Sequence, residues 1–172
     1  MTMSVVTFYV LGVAAIACAF DLTRARIPNW LTFSAGFVAL VFHTFSTQGQ
    51  GLGLATLGLV VGLAVFFPLF ALRAMGAGDV KLLAAFGAWI GPVAVLWVAL
   101  YGAIAGGVFA LALMVRRGYL REGLTNIRTL LRFWSLFGMK PLPSVSLDSP
   151  RAMRLPYALP IAVGLVVTLW RA

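Results

Sequence analysis

Six apolar runs, over residues 4–20, 27–45, 51–72, 80–91, 93–115 and 155–170, restrict this chain more than any other feature of it. A helix rises about 1.5 Å per residue, so roughly 20 apolar residues cross the hydrocarbon core of a bilayer. Four of the runs reach or approach that length, and the run at 155–170 falls slightly short. Residues 80–115 are too long for one upright helix. The Gly91-Pro92 step is a natural break, because proline lacks the backbone donor and crowds the preceding turn. Two helices are expected there, the first tilted or incompletely crossing. Hydrophobic residues make up 62% of the chain and charged residues 10%, a balance far from that of a soluble domain. The sequence predicts an all-α fold: a polytopic membrane helix bundle of about six transmembrane helices. It forms a single domain over residues 1–172, with no internal repeat, linker or low-complexity tract.

Thirteen bases against four acids give a formal charge of +9. So basic a balance suggests nucleic acid, but the placement of the bases argues against that partner. Six crossings with the N-terminus outside put Arg24, Arg26, Arg73, Lys81, Arg116, Arg117, Arg121, Arg128, Arg132, Lys140, Arg151 and Arg154 on the cytoplasmic side. Arg171 alone falls outside, and residues 43–50 carry no Lys or Arg, as an exterior turn should. Membrane topology therefore accounts for most of the charge. Residues 1–7 hold no base, and the segment around Cys18 imitates a lipoprotein processing site only loosely, so the first run reads as a retained helix.

The longest segment outside the apolar runs is about 116–154. At 100° per residue, Arg117, Arg121, Arg128 and Arg132 share one helical face, and Leu120, Leu124, Ile127, Leu130, Leu131 and Trp134 cover the other. That pattern predicts an interfacial amphipathic helix resting on anionic headgroups of the lipid bilayer. Pro141, Pro143 and Pro150 then mark an irregular return to the last helix. Gly58 and Gly62, Gly87 and Gly91, and Gly102 and Gly106 stand four apart, a spacing that lets another helix backbone approach closely. Cys18 is the only cysteine, so a disulfide or a cysteine zinc site within one chain is excluded. No metal and no cofactor are expected.

Carboxylates near hydrocarbon are costly and tend to be paired, solvated or functional. Glu122 and Asp148 lie among cytoplasmic arginines and need no further role. Asp21 closes the first run and Asp79 opens the fourth, which places both at the cytoplasmic membrane edge. Taken singly, Asp21 reads as an ion-pair partner of Arg24 three residues on, and Asp79, after Gly76-Ala77-Gly78, as an N-cap. Neither account explains why both acids occupy one membrane face, beside a glycine turn and an Ile27-Pro28-Asn29 helix start.

The segments Phe20-Asp21-Leu22-Thr23-Arg24-Ala25-Arg26-Ile27-Pro28-Asn29 and Met75-Gly76-Ala77-Gly78-Asp79-Val80-Lys81-Leu82-Leu83 resemble the two aspartate motifs of the type IV prepilin peptidase family. The second is its Gly-x-Gly-Asp signature. Presenilin-like proteases share that signature, but their other aspartate lies on the preceding helix, whereas Asp21 lies three helices earlier. The resemblance implies an aspartic endopeptidase of the bacterial cytoplasmic membrane, with Asp21 and Asp79 catalytic. It also implies an active-site turn or substrate contact formed by Gly76, Gly78, Lys81, Pro28 and Asn29. Gly76 and Gly78 offer backbone free to take φ > 0, and Lys81 either tunes the dyad or snorkels to the interface.

The implied substrate is a prepilin-like protein with a short basic leader and a hydrophobic N-terminal helix. Larger members of that family carry a cysteine-borne zinc segment and also methylate the new amino terminus. With only Cys18, this chain resembles the small, peptidase-only form. The alternative is a non-enzymatic membrane transporter or assembly subunit, in which one aspartate carries protons. A serine-type site is disfavoured because the single histidine, His43, falls on the exterior side as polar loop surface.

Overall fold

A computed structural model describes residues 2–46, 50–118, 120–138 and 156–171. Among the described residues seven helices run in order: α1 (Thr2–Arg24), α2 (Asn29–Ser46), α3 (Gln50–Ala71), α4 (Ala77–Ile90), α5 (Pro92–Arg116), α6 (Leu120–Phe137) and α7 (Ala158–Arg171). No strand occurs among the described residues. The return marked by Pro141, Pro143 and Pro150, with Lys140, Asp148, Arg151 and Arg154, lies outside them.

The described residues are all-α as expected, and 3 helices among them are long and apolar enough to cross a membrane: Val5–Arg24 within α1, Gly51–Ala71 within α3, and α5. α7 is a shorter apolar helix. α4 and α7 have 14 residues each, and 14 residues rise only about 21 Å, less than a hydrocarbon core of roughly 30 Å. The outer faces of the long helices are apolar and open, with Phe8 75%, Phe37 68% and Val108 64% exposed. An apolar exterior of this kind suits a bilayer as solvent.

α4 is the axis of the bundle. Val80 and every residue from Leu82 to Trp89 are buried, and α1, α2, α3, α5 and α7 all touch this helix. A helix apolar all round is stable only when neighbours cover every face. It ends where the sequence predicts: Gly91 takes φ +85°, caps α4 through its N–H to the Gly87 carbonyl, and Pro92 opens α5. Proline suits that first position because its missing N–H would have no helical partner there. Gly91 serves the turn through its positive φ, and its backbone also lies against α3, where a Cβ at Gly58 would come within 3.0 Å of the Gly91 carbonyl carbon.

The other glycines of that four-residue spacing pack closely. A Cβ at Gly58 would collide with the Gly87 carbonyl and one at Gly87 with the Gly58 carbonyl, while at Gly62 it would stand 2.7 Å from the Leu83 oxygen. α3 and α4 thus cross backbone against backbone. α5 and α7 cross in the same way, where a Cβ at Gly164 would clash with the Val98 carbonyl and one at Gly102 would sit 3.3 Å from the Pro160 oxygen. In lipid, such close van der Waals approach replaces the hydrophobic force that joins helices in water.

At the end of the bundle remote from Asp79, Trp89 donates its indole N–H to the Ala35 carbonyl at 2.9 Å and packs against Tyr9 and Phe42. His43 is not loop surface. It lies half-buried in the last turn of α2, with a ring nitrogen 3.3 Å from the Trp89 carbonyl. α6 forms as a helix, and Leu124, Ile127 and Leu136 on it are exposed. The bundle leaves that apolar side uncovered.

Candidate active site

Asp79 owes its position to local chain geometry. α4 begins with Gly76 as N-cap, in extended backbone at φ −74° and ψ 146°. Asp79 is therefore the third residue of the helix and not its cap. Its amide donates to the Gly76 carbonyl at 3.2 Å, and its carboxyl accepts the Gly76 N–H in return. An acid at this position that reaches back to the cap amide is half of a capping box. A Cβ at Gly76 would lie 3.1 Å from Asp79 Oδ2, so the glycine leaves room for the carboxylate. Gly78 is helical, and a Cβ there would meet Ile27 Cβ at 3.0 Å. Both glycines thus serve close approach, and neither takes the positive φ that the sequence allowed.

The Ile27-Pro28-Asn29 segment completes this contact. Ile27 is buried against Gly78, and the Pro28 carbonyl accepts the Leu31 N–H at the start of α2. Asn29 Oδ1 accepts from Lys81 Nζ at 2.9 Å. The ammonium also lies 5.0 Å from the centre of the Phe33 ring, a cation–π contact. Lys81 and Asn29 therefore join the two motifs.

Asp21 is held by long-range contact. It sits in the last turn of α1, and its Oδ2 accepts the Ala158 backbone N–H of α7 at 2.9 Å, from a residue 137 positions away. Arg24 lies over the Phe20 ring at 5.3 Å. The carboxylate is thus engaged by a helix N-terminus, whose unpaired amides favour negative charge.

The two carboxyl groups lie near enough for one to act on the other electrostatically. Asp21 and Asp79 are each 9% exposed, and Asp79 feels the charge of Asp21. Tyr157, next to Ala158, also stands within reach of the Asp79 charge. Sequence reasoning missed Tyr157 and Ala158. The available signal was a lone tyrosine between Pro156 and Pro160, at the start of the last apolar run. No group of His, Cys, Asp and Glu able to hold a metal ion occurs among the described residues.

Both aspartates, with their motif neighbours, lie inside the span from residue 8 to 111 that matches the type IV leader peptidase family. The chain belongs to this family. Among curated relatives of this leader peptidase family member, the prepilin leader peptidase/N-methyltransferase of Aeromonas salmonicida (strain A449) is 32% identical over 106 residues, covering 58% of this chain and 36% of that protein. The protein of the same name from Aeromonas hydrophila is 31% identical over 106 residues, with the same coverage. The chain thus spans about a third of the length of the curated relatives it matches. No solved structure matches it. The family match ends within α5, so α7 and its contact with Asp21 lie outside it.

Proposed function

We propose that this leader peptidase family member is an intramembrane aspartic endopeptidase that removes the basic leader of prepilin-like proteins with Asp21, Asp79 and a water molecule. The observation that carries this reading is the pair of buried carboxyl groups on distant helices, with Asp79 within reach of the Asp21 charge. Two such groups share one proton more cheaply than both ionise. The carboxylate takes a proton from the water as its oxygen attacks the scissile carbonyl, and the neutral acid polarises that carbonyl. The tetrahedral intermediate collapses with proton transfer to the leaving amine, and the roles of the two acids exchange.

The wider reading follows from the same placement. Six crossings, with the short α4 and α7 supported inside the bundle, put the N-terminus outside and the dyad at the cytoplasmic edge of the bacterial inner membrane. α6 lies along anionic headgroups with its uncovered leucine side in the acyl boundary and its arginines toward phosphate. The substrate's hydrophobic helix supplies affinity by packing between helices, because the surrounding bases repel a basic leader. The activity proposed for these 172 residues is peptidase alone, since they hold one cysteine and no zinc-binding set of thiols.

Membranes containing the wild type, Asp21→Asn or Asp79→Asn, matched for protein level, provide the test with a prepilin as substrate. Cleavage by the wild type and none by either variant supports the reading. Undiminished cleavage by either variant overturns it, and proton flux that depends on a single aspartate favours a transporter instead.

A further inference from the structure

The α7 side of the contact with Asp21 is not part of either aspartate motif, and it lies beyond the residues that match the family. Ala158 is fully buried and is the first residue of α7. Its N–H is one of the amides that no carbonyl of its own helix can accept, so it needs an outside acceptor. Asp21 Oδ2 is that acceptor, at 2.9 Å.

Tyr157 fixes where α7 begins. Its ring stands edge-on to Phe66 of α3 with centroids 6.2 Å apart. On the α5 side it fills the space above Gly106, where a Cβ would come within 2.9 Å of its hydroxyl and 3.0 Å of its ring. Below this point α7 crosses α5 backbone against backbone at Gly102 and Gly164. The start of α7 is therefore held between α3 and α5 while its first amide holds Asp21.

We propose that the Tyr157-Ala158 step is the positioning element of the peptidase site: the Ala158 N–H aims the Asp21 carboxylate at Asp79, and the Tyr157 ring, seated over Gly106, holds α7 where it can do so. The inference rests on the dyad reading above. It assigns α7 a role in catalysis that bundle packing alone does not require. A carboxylate fixed at one oxygen keeps its orientation through the catalytic cycle, and small misplacements of a reacting group cost orders of magnitude in rate. Neither Tyr157 nor Ala158 needs to touch the substrate for this to hold.

The experiment measures kcat and KM per folded enzyme for prepilin cleavage by the full chain. Ala158→Pro removes the N–H at a first helical position, where proline is tolerated. Ala158→Val adds the same number of carbon atoms and keeps the N–H, so it reports the cost of bulk. The expected result is a kcat for Ala158→Pro about tenfold or more below that of Ala158→Val, with KM values alike. Equal losses in the two variants overturn the proposal. Should Ala158→Pro accumulate poorly, Gly106→Ala carries the same test from a site outside the dyad. Its methyl must displace the Tyr157 ring, lowering kcat about tenfold at constant KM, and a wild-type kcat in that variant overturns the proposal. Asp21→Asn and Asp79→Asn run alongside. If they are silent, a failed α7 test removes only this inference, whereas cleavage by either removes the dyad reading itself.

Discussion

Asp79 and Asp21 reach the same site by opposite means. Asp79 is placed by its own motif: the Gly76 amide receives its carboxyl, Gly78 lets α4 close on Ile27, and α4 is anchored against α3 through Gly58, Gly62 and Gly87. Asp21 has no such local frame. Its partner is an amide 137 residues away, on a helix anchored against α5 through Gly102 and Gly164. One half of the site is thus written in a short stretch of chain, and the other exists only once α1, α5 and α7 have packed. Variants at the α3–α4 crossing should therefore act chiefly on stability, and variants at the α5–α7 crossing on both stability and rate.

The largest effect is expected at the α3–α4 crossing. Gly87→Ala forces two backbones apart, and overpacking of this kind costs about 3 kcal/mol. Its unfolding midpoint in detergent should fall sharply, with loss of active protein; an unchanged midpoint breaks the claim that Asp79 depends on this crossing. Gly164→Ala is expected to cost about 2 kcal/mol at the α5–α7 crossing. It should also lower kcat per folded molecule, because α7 carries the amide that holds Asp21. A loss of stability with no loss of kcat would make the two crossings equivalent and remove the contrast between them.

A smaller effect follows at the contact between the motifs. Gly78→Ala leaves the helix intact but must move Ile27, and kcat should fall roughly tenfold through misplacement of Asp79. The smallest concerns Lys81 and Asn29. Lys81→Met and Asn29→Ala each remove the same hydrogen bond, so each should slow cleavage a few-fold, with the double variant no worse than either single one. Their coupling should be about 0.5–1.5 kcal/mol, the net worth of one hydrogen bond. Additive losses would show that Lys81 acts on the dyad separately from Asn29.

The contrast between the aspartates also explains what the sequence could and could not convey. Apolar run lengths located α1, α3 and α5, and Gly91-Pro92 located the break between α4 and α5, because length and proline chemistry act locally. Glycine spacing identified Gly58, Gly62, Gly87, Gly102 and Gly106 as close-packing surfaces, but not which helices they join. Gly91, which shares that spacing, also lies against Gly58, and its positive φ serves the turn as well. Asp79 was legible as a candidate site residue from its motif, although its place as third helical residue was not, since capping depends on where the first turn closes. His43 looked like exterior loop surface, and only the packing of α2 on α4 buries it beside Trp89. Tyr157 and Ala158 carried no motif, and a backbone N–H has no sequence signature.

The most direct test of the account is the cleavage rate of Asp21→Asn, Asp79→Asn and the double variant, measured on one prepilin with folded protein matched. If the two carboxyl groups work as one unit, each single variant already falls to the rate of the double variant, because residues that act together lose function together. A double variant whose loss is the product of two partial single losses would contradict the account, since the aspartates would then act independently.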